Sequence, residues 1–277
     1  MKIIAYQGEP GAYSESAAGN FFKEKIELSP SFTFNDVFAK VKKGTADFGV
    51  VPIENSLYGS VFETFDLLRK YPLSVIGELN LRINHYLIAN KKVKPSDLKV
   101  IYSHPQALGQ CSDLINSLKK VKVLPVYDTA GAVKMLYENP KENEAAIASK
   151  RAAEVYGMKI IKGNIQNNSE NFTRFLVISR KPVKTEFPNS KTSICFELKS
   201  MPGALFRALS VFALRDINLT KIESRPIAGK SFEYLFYIDM EGNIKDKKLV
   251  NALNHLKEIS HSLRIFGSYE KGKTYES

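Results

Sequence analysis

The sequence predicts an α/β protein of two modules: a larger one built on a mostly parallel sheet, and a smaller βαββαβ, ferredoxin-like plait. Three observations predict it. From residue 1 to about 180 one pattern recurs, a short apolar run, a loop of small polar residues, then an amphipathic helical stretch, which is the alternation of parallel-sheet proteins. Around 181–190 the pattern stops in "KPVKTEFPNS", a stretch with two prolines and no apolar period that reads as a linker. From 191 to 270 the apolar patterns run strand, helix, strand, strand, helix, strand.

Each element follows from its residues. "KIIAY" (2–6) leads into "QGEPGAYS" and a helix from about 14. "DFGVVPI" (47–53) leads into "ENSLYGS" and "VFETFDLLRK", where Val61, Phe65 and Leu68 share a helical face. "LKVIYS" (98–103) precedes "HPQALGQC", "KVLPVY" (122–127) precedes "DTAGAVKMLY", and "EAAIAS" (144–149) precedes "KRAAEVYG". "NFTRFLVIS" (171–179) closes the series as a strand. In the second module "TSICFEL" alternates, with Ile194, Phe196 and Leu198 on one face. "GALFRALSVFALRD" places Leu205, Ala208, Leu209 and Phe212 at helical spacing, and "DKKLVNALNHLKEIS" does the same for Leu249, Ala252, Leu253 and Leu256. "INLTKIESRP", "FEYLFYIDM" and "LRIFGSY" are the other strands.

Composition narrows the function. With 277 residues, 44% of them hydrophobic and 25% charged, the chain is an ordinary globular protein with material for a sizeable core. No apolar run approaches the roughly 20 residues of a membrane helix, and "MKIIAYQGEPG" has too few apolar residues for a secretory signal. The expected location is the cytoplasm, with no membrane partner. Forty Lys and Arg against 29 Asp and Glu give a net charge of +11, but the basic residues are scattered. No nucleic acid is therefore expected, and an anionic small molecule or plain solubility accounts for the charge. Cys111 and Cys195 each lie in an apolar pattern without a second thiol beside them and read as buried. His85, His104, His255 and His261 show no ligand spacing, so no metal is expected.

Ligands in such sheets bind beyond the carboxyl ends of the strands, where loops meet helix N-termini. "QGEPGAYS" offers Gly8 and Gly11 there, but it is neither GxGxxG nor a P-loop and reads as a tight turn. "PIENSLYGS" gathers Glu54, Asn55, Ser56 and Ser60, more polar groups than a helix cap requires. "SHPQALGQC" adds Ser103, His104, Gln106 and Gln110, with His104 equally suited to a base or a turn residue. Asp128 and Thr129 open "DTAG", where Asp128 is most simply a helix N-cap. "NFTRF" sets Thr173 and Arg174 between aromatics at a strand start, where buried polar groups must find partners. Together these loops suit a small polar anion held by neutral donors, which fits an enzyme or a binding protein.

These motifs, "NFTRF", "PIENSLYGS", "SHPQALGQC" and "DTAG", with "GAL" (203–205) and "KIESRP" (221–226) downstream, resemble those of the prephenate dehydratase family with its ACT regulatory domain. The resemblance covers nearly the whole chain. It implies a bilobed catalytic domain at 1–180, similar to type 2 periplasmic binding proteins with the site in the cleft, a linker at 181–190 and an ACT domain at 191–270. It also implies the reaction, prephenate to phenylpyruvate, water and carbon dioxide in phenylalanine biosynthesis, with no cofactor because aromatisation drives it. With no helical chorismate mutase segment ahead of residue 1, a monofunctional lyase is expected.

By the same resemblance Thr173 assists departure of the ring hydroxyl, Arg174 anchors a carboxylate or orients the motif, and Phe175 walls the pocket. Asn55 and Gln110 contact the substrate, with Glu54, Ser56, Ser60, Ser103 and His104 around them. L-Phenylalanine is the expected effector, held by Gly203, Ala204, Leu205, Glu223, Ser224 and Arg225 between ACT domains of a homo-oligomer, a dimer or tetramer. One departure stands out: many prephenate enzymes carry Thr or Ser where this chain has Ala12, and "GAYSE" is more similar to plant arogenate dehydratases. Arogenate, the amino counterpart of prephenate, is thus an alternative substrate, and a non-catalytic phenylalanine sensor is a second alternative.

Overall fold

The computed structural model describes residues 1–118, 121–182, 187–199, 201–227, 229–230 and 233–277. The chain forms two compact units, one of Met1–Tyr71, Leu79–Val177 and Lys273–Ser277, the other of Pro72–Glu78 and Ile178–Gly272. Neither the early segment at 72–78 nor the return of the C-terminus was visible in the sequence, because both depend on pairing between distant parts of the chain. Of the expected linker, residues 183–186 lie outside the described residues.

The chain begins with β1 (Lys2–Gln7), α1 (Tyr13–Phe21), β2 (Ile26–Ser31), α2 (Phe34–Lys43), β3 (Phe48–Asn55), β4 (Gly59–Ser60), α3 (Phe62–Lys70) and β5 (Ser74–Arg82). Next come β6 (Tyr86–Ala89), β7 (Val100–Ser103), α4 (Pro105–Gln110), α5 (Ser112–Ser117), β8 (Lys122–Pro125), α6 (Thr129–Glu138), β9 (Glu144–Ala148), α7 (Lys150–Val155), β10 (Lys159–Lys162) and β11 (Phe172–Ser179). The rest is β12 (Ser190–Leu198), α8 (Ala204–Ala213), β13 (Leu219–Pro226), β14 (Tyr234–Glu241), α9 (Lys247–Ile259), β15 (Ser260–Glu270) and β16 (Thr274–Glu276).

The first unit holds two sheets. One has the order β16-β5-β11-β3-β1-β2, with β4 on β3, and the other β10-β6-β9-β7-β8. Wherever a helix connects the strands the pairing is parallel, as in β1 with β2 and β3, and β7 with β8 and β9. Both sheets are nonetheless mixed, because β6 pairs antiparallel with both β9 and β10 in one, and β4 pairs antiparallel with β3 in the other. β2, "IELSPS", escaped the sequence reading because Pro30 demotes it, and it lies at a sheet edge where a proline is tolerated. α2 is bounded by its own chemistry: Thr33 and Asp36 form a capping box, and Gly44 ends it at φ 82°. Ser149 caps α7 by accepting from the Ala152 N–H and donates to the Gly11 carbonyl at 2.6 Å. Gly11 has φ 92°, and a Cβ on it would lie 2.5 Å from Ala152 Cα, so both backbone angle and space require glycine.

In the second unit four antiparallel strands run in the order β13-β14-β12-β15. Ile194, Phe196, Ile238 and Met240 pack against Ala208 and Phe212 of α8 and Leu253 and Leu256 of α9. All four residues expected on α9 are buried. On α8 the buried face is Ala208, Val211 and Phe212, and Leu205 stays 38% exposed, one turn beyond the sheet's cover. The unit also buries an ion pair, Lys191 Nζ to Glu78 Oε2 at 3.0 Å, with Asp239 Oδ2 at 3.9 Å.

Candidate active site

Strand-end loops of the first unit surround a cavity of about 450 Å³. Four helix starts line it: Ala12 to Ser14 at α1, Ser60 and Val61 at α3, His104 and Gln106 at α4, and Asp128 and Thr129 at α6. His104 Nδ1 accepts from the Gln106 N–H (3.3 Å), and Asp128 Oδ1 accepts from those of Ala130 (2.7 Å) and Gly131 (3.3 Å). Ala12 and Val61, the N-caps of α1 and α3, supply no side-chain cap. Among the described residues no Lys or Arg lines the cavity. Positive potential for an anion therefore comes from backbone N–H groups and helix dipoles.

A buried chain of hydrogen bonds fixes the polar wall, and its donors can be assigned from one end. Asn55 Oδ1 accepts the backbone N–H groups of Leu57 (3.0 Å) and Tyr58 (3.1 Å). Its Nδ2 must then face Asn171 Oδ1 (2.8 Å), the Phe172 carbonyl (3.1 Å) and Thr173 Oγ1 (3.0 Å). With Asn171 Oδ1 an acceptor, Asn171 Nδ2 donates to Gln110 Oε1 (2.9 Å). The same oxygen faces His85 Nε2 at 2.5 Å, so that nitrogen carries a hydrogen. Burial pushes His85 down to about 4 and keeps it neutral, so its Nδ1 is an acceptor that faces the Tyr13 hydroxyl at 2.8 Å and shares that group's single hydrogen with the Asn84 carbonyl at 2.7 Å. Thr173 Oγ1 thus takes an amide hydrogen from Asn55, which leaves its own O–H available as a donor at the cavity wall.

Thr173, Phe175, Asn55, Gln110, His104 and Ser60 line the cavity, and Glu54, Ser56, Ser103 and Arg174 do not. Successive side chains of β11 point to opposite faces, which puts Thr173 and Phe175 on the cavity side and Arg174 on the other. Arg174 Nη2 lies 3.3 Å from Glu54 Oε2, an ion pair between β11 and the end of β3. Ser56 Oγ donates to the Glu170 carbonyl and accepts from the Phe172 N–H, pinning the start of β11. Ser103 is fully buried and donates to the Ile147 carbonyl at 2.6 Å. The sequence reading missed Tyr13, His85 and Asn171 as members of the wall. His85 in "INHYLIA" carried the only signal, a lone polar ring in an apolar run. Among the described residues no three His, Cys, Asp or Glu come together to hold a metal ion.

In the second unit Gly203 is the N-cap of α8, at φ 74° and with no side-chain cap bond, followed by Ala204 and Leu205. Ser224 pairs with Phe236, which packs in the helix-covered core, and Glu223 pairs with Tyr237 on the other side of β14. Strand alternation therefore puts Glu223 and Arg225 on the sheet face opposite Ser224, and the three cannot line one site from a single face.

Fold and site define an α/β protein whose first unit holds a polar cavity walled by hydroxyls, amides and helix N-termini, and which carries a ferredoxin-like second unit. Residues 4–183 match the prephenate dehydratase family and 192–258 the ACT domain family, and the chain belongs to the prephenate dehydratase family. It is 44% identical to arogenate dehydratase/prephenate dehydratase 2, chloroplastic, of Arabidopsis thaliana, over 96% of this chain and 72% of that protein. The structure of prephenate dehydratase from Arthrobacter aurescens in complex with L-Phe is similar at TM-score 0.90 and 32% identity, covering 97% of this chain and 90% of that one. A protein described as a novel type of quorum quenching acylase is similar at TM-score 0.90 and 33% identity, over 98% of both chains.

Proposed function

We propose that the chain catalyses the decarboxylating dehydration of prephenate to phenylpyruvate, and of its amino counterpart arogenate to phenylalanine. The observation that carries this reading is Thr173, which lines the cavity, whose Oγ1 accepts from Asn55 at 3.0 Å and whose own O–H remains available as a donor, in a cavity that no described Lys or Arg lines. The reaction needs a donor for the departing hydroxyl, and Thr173 fills that role only with its neighbours' help. It also needs weak hold on the departing carboxylate, because tight binding of that charge would stabilise the ground state. A cavity that offers dipoles in place of cations meets the second need. Ala12 in the cavity wall and the 44% identical plant relative favour arogenate as a second substrate. Purified protein given each compound separately tests the reading, with phenylpyruvate and phenylalanine as the products followed. Turnover of neither would sink it.

L-Phenylalanine is the proposed effector of the second unit, received at the open N-terminus of α8 at Gly203. The split of Ser224 from Glu223 and Arg225 across the sheet favours a site completed by a second copy, and exposed Phe206 (76%) and Leu205 (38%) suit burial there. Calorimetry with phenylalanine, paired with activity in its presence, tests this.

A further inference from the structure

We infer that Asp128 is a specificity-determining residue, a carboxylate that faces the ammonium of an α-amino acid side chain and so favours arogenate over the keto acid. The inference rests on the dehydratase reading and specifies its substrate. It starts from the charges in the cavity wall. Among the described residues Asp128 is the only Asp or Glu that lines the cavity, and no Lys or Arg lines it with Asp128. The side chain is 7% exposed and caps α6 through Oδ1. Among the described residues Oδ2 accepts only the Glu9 N–H, at 3.2 Å, and keeps a lone pair for a further donor.

Its position suits an amino acid. Asp128 Oδ2 and Ala12 Cβ lie 2.7 and 2.8 Å from the place a Cβ on Gly8 would take, so they are neighbours in the wall. Ala12 is also the N-cap of α1 and contributes no polar side chain. An α-amino acid carries its ammonium and carboxylate on one carbon. The carboxylate can meet the first N–H groups of α1 while the ammonium meets Oδ2. A keto oxygen in the same place would face a second acceptor.

The groups around Asp128 leave its charge uncompensated. Glu9 is itself occupied by Lys134 Nζ at 3.1 Å and the Tyr127 hydroxyl at 2.9 Å. His104 faces Asp128, but burial lowers its pKa and its Nδ1 accepts from Gln106, so it stays neutral. Burial pushes the Asp128 carboxyl up despite its three backbone donors, as expected of a carboxylate without a cation. No ion pair reaches it among the described residues.

The test is Asp128→Asn, which keeps the α6 cap through its one oxygen and removes the charge; its amide nitrogen takes the place of Oδ2, so the Glu9 N–H bond is lost as well. The readout is the ratio of kcat/KM for arogenate to that for prephenate. In the wild type the ratio exceeds one, and in Asp128→Asn it falls by about 10-fold or more, the size of one charge-assisted hydrogen bond. Asp128→Ser, which also caps, gives the same fall if the asparagine variant does not fold. A wild type that prefers prephenate, or a ratio unmoved in both variants, overturns the inference. Wild-type protein that turns over neither compound instead removes the dehydratase reading on which it stands.

Discussion

Replacing Thr173 by valine removes one hydroxyl and keeps the shape, and the structure gives separate magnitudes for its effects on folding and on rate. Asn55 is 7% exposed and its Nδ2 bonds Asn171 Oδ1, the Phe172 carbonyl and Thr173 Oγ1. Without the hydroxyl the amide keeps the first two partners. The stability loss is then that of one hydrogen bond, about 1 kcal/mol. In the proposed reaction the rate loss is larger, because the Thr173 O–H is there the donor to the leaving hydroxyl. General acid assistance is worth about 10²-fold or more, or about 2.7 kcal/mol of barrier. Steady-state kinetics of Thr173→Val should show kcat reduced by that factor with KM changed only a few-fold, and urea unfolding should show the small stability change. A variant with near wild-type kcat would refute the assignment, and a loss matched by unfolding would refute the separation.

Three further outcomes follow from the same geometry. Gly11→Ala forces a Cβ to 2.5 Å from Ala152 Cα at φ 92°, and urea unfolding should show a loss of about 2–4 kcal/mol. His85, held near 4 against an ordinary 6.5, takes up its proton more readily when unfolded; stability is therefore full above about pH 6.5 and falls as the pH drops toward 4, by about 3 kcal/mol in all. In His85→Asn that part of the pH dependence should vanish from unfolding curves at pH 4.5 and 7. Gly203→Val places a β-branched residue at φ 74°, and calorimetry should show phenylalanine binding lost while the catalytic rate without effector persists.

What the sequence made legible was local. The apolar runs at 2–6 and 47–53 and the heptad-like spacing of α9 declare themselves within a few residues, and the structure has them as β1, β3 and a four-residue buried face. Asn55 and Thr173 at strand ends, and Gln110 at the end of the short helix α4 that follows β7, were equally visible because polar groups cluster in those segments beyond the needs of capping. The facing of side chains was less so. Arg174 and Ser103 have the right chemistry in the right motif, yet strand alternation turns Arg174 toward Glu54 and a buried carbonyl claims the Ser103 hydroxyl. His85 and Tyr13 were missed because their partners are 25 and 72 residues away, and no local pattern carries such a contact. Asp128 was read as a cap, which it is; its second face appears only once Gly8 and Ala12 are placed beside it.

The central claim is tested most directly by giving the purified protein prephenate and arogenate labelled with ¹³C in the ring carboxylate. The account predicts labelled carbon dioxide in equal amount with the aromatic product, and both slowed alike in Thr173→Val. Label retained on the product, or no release with either compound, would contradict it.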